Sequence, residues 1–494
     1  MAVLLASERK TTKGRIFLSI VYGLLALGGL TMVYPFLVML SASFSGPYDY
    51  NRHDAVLRSF WDRDDRFMRS LSTYFPRFPA DYFPDAPEDW RRTGSWEVVA
   101  RDREGVRTFA ERHLQPALTN ADVLAAWKQK AEAFRTTIAN WDLHYTTCAY
   151  DARDVAPFIE SQISLDDLNR TWPVRYRSFF DVSFTAESKT RIDHKNWKPP
   201  EGNPKYEMWL KFKDSYRQQM VSDGDYICRT LPSFAVTNVR DIALSQPEFA
   251  EQLRCAVAVQ FIEHGTRDYW RSCVANYRLV GQYLFKRGRA FVNTLILVLL
   301  SVLAHLTVNP LAAYALSRFR MRGTEKILLF LLATMAFPTA VTAIPGFLLV
   351  RDLGLLNTLA ALVLPTVASG MSIFILKGFF DALPRELYEA AAIDGASEWT
   401  VFRKITLPMT TPILAVNALN SFVAAYNSWE WAFLVCQEES NWTLAVWMYQ
   451  MSQQMGNQPW CVMAGFVLIS IPTAIVFLAC QKIILRGIVL PSMK

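Results

Sequence analysis

Residues 389–408 read Glu389-Ala-Ala-Ala-Ile-Asp-Gly395-Ala-Ser-Glu-Trp-Thr-Val-Phe-Arg-Lys-Ile405-Thr-Leu-Pro408, a charged segment lodged between long apolar stretches. It satisfies the spacing E-A-A-x3-G-x9-I-x-L-P at Glu389, Ala390, Ala391, Gly395, Ile405, Leu407 and Pro408. Three consecutive alanines favour helix and let another backbone come close. Gly395 permits a chain reversal that a Cβ would oppose. Asp394, Glu398, Arg403 and Lys404 keep the segment out of a bilayer. The spacing predicts a small helix and turn built to dock. The plainer alternative is a solvated linker helix with incidental alanines.

The stretches on either side are membrane-like. Hydrophobic residues make up 51% of the chain and charged residues 20%, which implies several spans together with a large soluble part. Apolar runs long enough to cross a bilayer occupy residues 16–40, 290–316, 327–350, 358–380, 409–435 and 461–483. The expected fold is therefore an all-α membrane protein of six transmembrane helices. It divides into 1–44 (N-terminus and first span), 45–275 (an inserted domain) and 276–494 (the remaining spans, with the docking loop at 385–408). Pro338 and Pro345 interrupt the third run, as in helices that line a cavity or lean on neighbours. Ser41-Ala42-Ser43 could mimic a cleavage site, but the run before it exceeds a signal-peptide core, so it reads as a retained span.

Charge gives the orientation. Arg9, Lys10, Lys13, Arg15, then Arg318, Arg320, Arg322, Lys326, then Lys377, Arg385, Arg403, Lys404, and finally Lys482, Arg486 and Lys494 all fall on one side of these spans. Of the basic residues outside 45–289, only Arg351 falls opposite. The positive-inside rule puts both termini and the Glu389 segment in the cytoplasm and the insertion outside. The formal net charge of +7 implies no nucleic-acid partner, since no basic patch is interleaved with aromatics.

The insertion reads as α-rich. Residues 119–140 start with Asn120 or Asp122 as candidate N-caps, 246–283 form one or two helices running toward the second span, and Pro199, Pro200, Gly202 and Pro204 mark a loop. Cys148, Cys228, Cys255, Cys273, Cys436 and Cys461 lie on the outer side and Cys480 in a span, which suits disulfides but equally buried thiols; pairing stays open. Tryptophans 61, 90, 96, 127, 141, 172, 197 and 209 could form a sugar-binding surface or a core. The carboxylate pairs Asp64-Asp65 and Asp166-Asp167 have the residue type of glycoside hydrolysis, but acidic pairs are common on soluble surfaces. No G-x-x-x-x-G-K-[ST] loop, H-E-x-x-H, G-x-S-x-G or zinc-like cluster occurs, and the six histidines are scattered. The chain is thus expected to have no catalytic residue, no metal and no cofactor of its own.

The segment at Glu389 resembles the EAA loop of the membrane subunits of bacterial ABC importers. The likeness extends to Asn276-Tyr277, Phe291-Val-Asn-Thr294, Pro338 and Pro345, Gly354-Leu-Leu-Asn-Thr358, Pro365 and Phe379-Phe-Asp-Ala-Leu-Pro384. These look like successive landmarks of MalG-like permeases of carbohydrate importers, over about residues 10–44 and 274–490. The wording Asp394-Gly395-Ala396 is typical of the carbohydrate branch. The resemblance implies a type I importer fold in the bacterial inner membrane. It also implies a MalF-like second permease, two ATPase subunits that carry ATP and Mg, an extracytoplasmic solute-binding protein, and translocation of a sugar or oligosaccharide. Carried over residue by residue, Glu389 would meet a basic group on the ATPase, while Ala390 and Ala391 would allow close packing. Gly395 would form the turn, and Leu407 with Pro408 would lead into the fifth span.

Two further assignments follow from the resemblance. Asn420, Tyr426, Asn427, Trp429 and Glu430 would lie on the substrate path, with Tyr426-Asn427 where the family usually has Trp-Asn; an interfacial aromatic belt is the alternative. The loop 437–460, through Gln450, Gln453 and Gln454, would reach into the binding protein's cleft or be an ordinary solvated loop. The insertion departs from the pattern, because MalG-like chains join their first two spans briefly. Open alternatives are a permease for another solute, such as a polyamine or sugar phosphate, and a membrane-anchored receptor or assembly protein working through the insertion.

Overall fold

A computed structural model describes residues 12–75, 77–139, 158–172, 175–176, 179, 182, 202–222, 247–286, 289–319, 323–334, 337–456 and 458–487. Its described elements are all helical. They group into two compact units, Met1–Leu279 with Gln458–Ala464, and Val280–Asn457 with Gly465–Lys494.

The first unit begins with the helix Thr12–Ser43. Its most apolar stretch, within Arg15–Ser43, is not buried by the rest of the chain, whereas Ser41, Ala42 and Ser43 at its end are buried. At about 1.5 Å per residue the helix exceeds the roughly 30 Å of a bilayer's hydrocarbon. The helices that follow wrap an aromatic core in which Phe67, Phe75, Phe83, Trp90, Phe109 and Phe249 are buried. Their starts follow from short polar caps. Asp62 accepts from the amides of Asp64 (2.9 Å) and Asp65 (3.4 Å), opening Arg63–Tyr74. Asn120 Oδ1 accepts from Asp122 N (2.9 Å), so of the two candidate caps Asn120 opens Ala121–Ala139. Gly202 turns at φ 81° before the helix Pro204–Ser222, while Pro199 and Pro200 lie outside the described residues. The expected one or two helices at 246–283 are a single one, Pro247–Gly281.

A buried polar knot ties the chain just after the first helix to residues 269–277. Arg69, 2% exposed, donates to Asp49 Oδ2 (2.9 Å) and to the Phe44 carbonyl, and its guanidinium lies 5.0 Å from the Tyr269 ring centroid. Asn276 Nδ2 donates to the carbonyls of Ser43 and Ser45 (2.9 Å each), and Tyr277 Oη lies 2.5 Å from Ser43 Oγ. The Asn276-Tyr277 landmark therefore pins the end of the first helix.

In the second unit, Ala290–Arg318 (hydropathy 2.2) contains the predicted second span, and Pro459–Gly487, shared between the units, contains the sixth. Two predicted spans are bent. Ala360–Thr366 meets Gly370–Asp381 at 49°, and Glu398–Met409 meets Thr411–Tyr426 at 82°. Among the described residues, three helices are long and apolar enough to cross a bilayer, five if each bent pair counts as one span. The third predicted run is two helices, Thr324–Thr334 and Thr339–Asp352, with Pro338 capping the second and Pro345 inside it. The fifth run stops at Tyr426, and Trp429–Val435 is a separate short helix.

The breaks are held by hydrogen bonds and close packing. Buried Asn309 donates to Val367 O (3.2 Å) and accepts from Ser369 N (2.9 Å), satisfying both sides of the 49° bend. A Cβ on Gly370 would lie 2.6 Å from Leu331 O, so this crossing with Thr324–Thr334 needs glycine.

Candidate functional site

The segment 385–409 forms from strong local signals. Pro384 precedes the helix Arg385–Ile393. The helix ends in a Schellman motif: Ala396 N donates to Ala391 O (2.9 Å), Gly395 N donates to Ala392 O (3.1 Å), and Gly395 sits at φ 72°. Ser397 Oγ then accepts from Thr400 N (3.3 Å) and starts Glu398–Val401, which continues as a π-turn through Phe402–Thr406 into Leu407–Met409. Pro408 and Pro412 flank the 82° bend.

One face of this segment is committed. Tyr388, Ala391, Val401 and Phe402 are buried against Tyr314, Leu376 and Phe380. The Arg318 guanidinium lies 4.5 Å from the Tyr388 ring centroid, Tyr388 Oη lies 3.3 Å from Thr406 Oγ1, and Tyr314 Oη donates to Glu398 Oε2 (2.5 Å). The other face is open. Glu389, Ala390, Ala392, Asp394 and Gly395 are exposed, with Ile393 at 86% and Trp399 at 60%. Exposed apolar side chains beside a carboxylate, on a helix braced from behind, make a surface suited to a partner. The alanines divide accordingly: Ala390 faces out, whereas Ala391 (7% exposed) and half-buried Ala396 serve internal packing. Leu407 packs against the same cluster, and Pro408 is exposed.

The other expected sites separate. Tyr426 is buried and donates to Ile469 O (2.7 Å), a helix-to-helix bond. Asn420, Asn427, Trp429 and Glu430 are exposed, and Trp429 stacks on Tyr449 at 4.6 Å and 20°. Gln450, Gln453 and Gln454 sit on a helix, Leu444–Gln454, rather than in a loop; it is capped by Thr443 and buries Leu444, Trp447, Met448 and Met451 at helical spacing. Gln453 and Gln454 are exposed, and Gln454 Oε1 accepts from Tyr283 Oη (2.9 Å).

Two pins on the connector before this helix are not evident from the sequence, although their residues fall in the landmarks Phe291–Thr294 and Gly354–Thr358. Asn293 donates to the carbonyls of Ser440 (2.7 Å) and Trp442 (3.1 Å), and Thr294 Oγ1 accepts from Leu444 N (2.8 Å). Asn357, at φ 60°, accepts from the amides of Gln437 (2.6 Å) and Glu438 (3.1 Å). The signal was an asparagine near a helix boundary, where its side chain can replace backbone partners.

The remaining candidates take structural places. Asp65 is buried and accepts from Tyr48 (2.5 Å) and Arg52 (2.9 Å), while Asp166 and Asp167 occupy the first turn of Leu165–Thr171, favoured by the helix dipole. Trp90, Trp96, Trp172 and Trp209 are core residues, Trp127 packs against that core, and only Trp61 of the described set is widely exposed; Trp141 and Trp197 lie outside the described residues. Cys255, Cys273, Cys436, Cys461 and Cys480 form no disulfide, and the first four are buried thiols; Cys461 Sγ donates to Asn276 Oδ1 at 3.6 Å. Cys148 and Cys228 lie outside the described residues. No cluster of three or more metal-binding side chains occurs among the described residues.

Over residues 308–489 the chain matches the family described as binding-protein-dependent transport system inner membrane component. It is 36% identical over 205 residues to the trehalose/maltose transport system permease protein MalG of Thermococcus litoralis, covering 41% of this chain and 74% of that protein. It is 32% identical over 197 residues to the lactose transport system permease protein LacG of Rhizobium radiobacter (40% and 72%), and 31% over 199 residues to the diacetylchitobiose uptake system permease protein NgcG of Streptomyces coelicolor (40% and 66%). The chain belongs to this permease family. As a binding-protein-dependent permease it is a non-catalytic membrane subunit of an ABC importer. The matched stretch contains the whole segment 385–409, and residues 45–275 lie outside it.

Proposed function

We propose that this chain is the permease subunit of an importer for a sugar or oligosaccharide, coupled through the segment 385–408 to ATPase subunits of separate sequence. The observation that carries this reading is the division of that segment into a buried face and an exposed ridge of Glu389, Ala390, Ile393 and Trp399. ATP and Mg belong to the two ATPase subunits, and a second, MalF-like permease completes the pathway. The named relatives handle trehalose and maltose, lactose, and diacetylchitobiose, which supports a carbohydrate here.

The proposed topology has six spans, counting the broken pair Thr324–Thr334 and Thr339–Asp352 as one, in the bacterial inner membrane. Both termini lie in the cytoplasm, as the basic clusters favour. The insertion is extracytoplasmic, where it would brace a solute-binding protein. Asn420, Asn427, Trp429 and Glu430 face the sugar's route, and the helix Leu444–Gln454 presents Gln453 and Gln454 to that binding protein.

Co-purification tests the coupling. An ATPase subunit should accompany the native chain, and Ile393→Ala with Trp399→Ala should weaken its retention tenfold or more, as for buried interface anchors worth about 2 kcal/mol. Undiminished retention would count against the docking ridge. Sugar-stimulated ATP hydrolysis by the purified complex, across a panel of mono- and oligosaccharides, tests the substrate class. Stimulation by a polyamine alone would replace the carbohydrate reading.

A further inference from the structure

The contacts behind the docking segment include one unfinished bond. Glu398 Oε2 accepts from Tyr314 Oη at 2.5 Å, and the same oxygen lies 3.7 Å from Arg318 Nε. That Nε is buried and reaches no hydrogen-bond acceptor among the described residues. Tyr314 and Arg318 are the last-turn residues of the helix Ala290–Arg318, one turn apart and on one face. Glu398 heads the helix that follows Gly395, on the far side of the Schellman turn from Glu389. A buried donor left without a partner is costly, and a short approach of Glu398 would satisfy it. Arg318 meanwhile stays over the Tyr388 ring, at 4.5 Å, so the guanidinium touches both halves of the segment.

We propose that Glu398, Tyr314 and Arg318 form a two-position latch, which passes displacement of the segment 385–409 to the helix Ala290–Arg318. In the present position Glu398 holds the tyrosine hydroxyl. In the second it closes on Arg318 Nε as well. The three are positioning residues: they touch neither nucleotide nor transported solute. The inference rests on the permease reading, because it needs an ATPase to move the segment.

The test uses the assembled complex in nanodiscs, with nitroxide labels at Arg385→Cys and Leu303→Cys, both exposed positions, and other reactive thiols changed to serine. Separations are measured without nucleotide and after trapping with ATP and orthovanadate. With native Glu398 the separation should be the same in both states, since segment and helix travel together. In Glu398→Ala and in Tyr314→Phe it should shift or split into two populations on trapping. Glu398→Gln, which keeps an acceptor for Tyr314 but loses the charge facing Arg318, should match the native separation without nucleotide and shift only on trapping. A role confined to stability would lower the melting temperature and leave the nucleotide dependence untouched. Constant separations in all variants overturn the latch, as does a native separation that changes on trapping. Loss of the ATPase from both Glu398→Ala and Tyr314→Phe also overturns it, because those residues then build the docking surface. Absence of any ATPase from the native complex would instead remove the permease reading itself.

Discussion

Gly395 offers a clean measurement of what the turn costs. Its φ of 72° lies in the left-handed region, and an added Cβ would meet nothing within 4 Å. Steric crowding therefore contributes nothing to Gly395→Ala, and the whole effect is backbone conformation. Placing a residue with a Cβ in that region costs about 1–2 kcal/mol. Reduced freedom of the unfolded chain returns about 0.4–1 kcal/mol. The expected net loss is near 1 kcal/mol, or about fivefold in the local opening equilibrium. Asparagine tolerates this conformation better and should lose less. Proline locks φ near −65° and deletes the Gly395 N–H bond to Ala392 O, so it should lose about 3 kcal/mol or more. Amide exchange across residues 388–400 reads these values directly, because the Ala396 amide bonds to Ala391 O only while the turn is intact. The order glycine, asparagine, alanine, proline in rising exchange is the prediction. Alanine exchanging no faster than glycine would refute the claim that the motif's glycine is there for its backbone angle.

Asn293→Ala removes both bonds to the connector, to Ser440 O and Trp442 O, and should loosen residues 437–443 by about 2–4 kcal/mol; proteolysis rising in the connector with exchange unchanged at 388–400 is the expected result. Arg69→Met strands buried Asp49 and should cost about 3–5 kcal/mol, whereas Arg69→Met with Asp49→Asn should recover most of it, measured by thermal unfolding through tryptophan fluorescence. His113 supplies a pH dependence. Burial lowers its pKa, with Asp85 at 3.2 Å opposing, so the folded state favours neutral imidazole. Its contribution to stability is complete above the ordinary value of 6.5 and is lost as pH falls below it, because the unfolded chain takes up the proton first. Asp85 differs: burial raises its pKa, but His113 and Arg112 hold it below the ordinary 3.8, so its contribution disappears only in stronger acid. His113→Gln should flatten the melting temperature just below pH 6.5, and an unchanged slope would show that another group controls it.

Much of this was legible before any coordinates. The segment at 389–408 could be read because its constraints are local: a proline start, a left-handed glycine and a second cap lie within a few residues of one another. The long apolar runs at 16–40, 290–316 and 461–483 likewise carry their own length criterion. The prolines of 327–350 mark the interruption at Pro338, whereas the run at 409–435 hides its break after Tyr426, since hydropathy averages over a window. Gln450, Gln453 and Gln454 drew attention as polar residues, when the apolar spacing of Leu444, Trp447, Met448 and Met451 was the stronger signal for a helix. Tyr426 looked like a ligand because of its position in a polar cluster; only the partner at Ile469, distant in sequence, shows that its hydroxyl is committed. The tryptophans of residues 45–275 pose the same difficulty, as burial is a property of the whole unit.

A common physical thread runs through three of the landmarks that carried the resemblance and through Asn309. Asn276 bonds two carbonyls at the end of the first helix, Asn293 two carbonyls in the connector, Asn309 both sides of the 49° bend, and Asn357 two amides after Val435. Each reaches backbone groups at a helix end or between helices. Water cannot supply partners for such groups inside a bilayer or a dry interface, so a short side chain bearing both donor and acceptor does. The breaks are thus built into the fold at fixed chain positions. A subunit assembled from short helices joined at pinned breaks can move as several rigid pieces without exposing unbonded backbone. Long uninterrupted spans could not do this. The same argument explains why the segment 385–409, with its own glycine turn and caps, keeps its shape while its outer face is left for a partner.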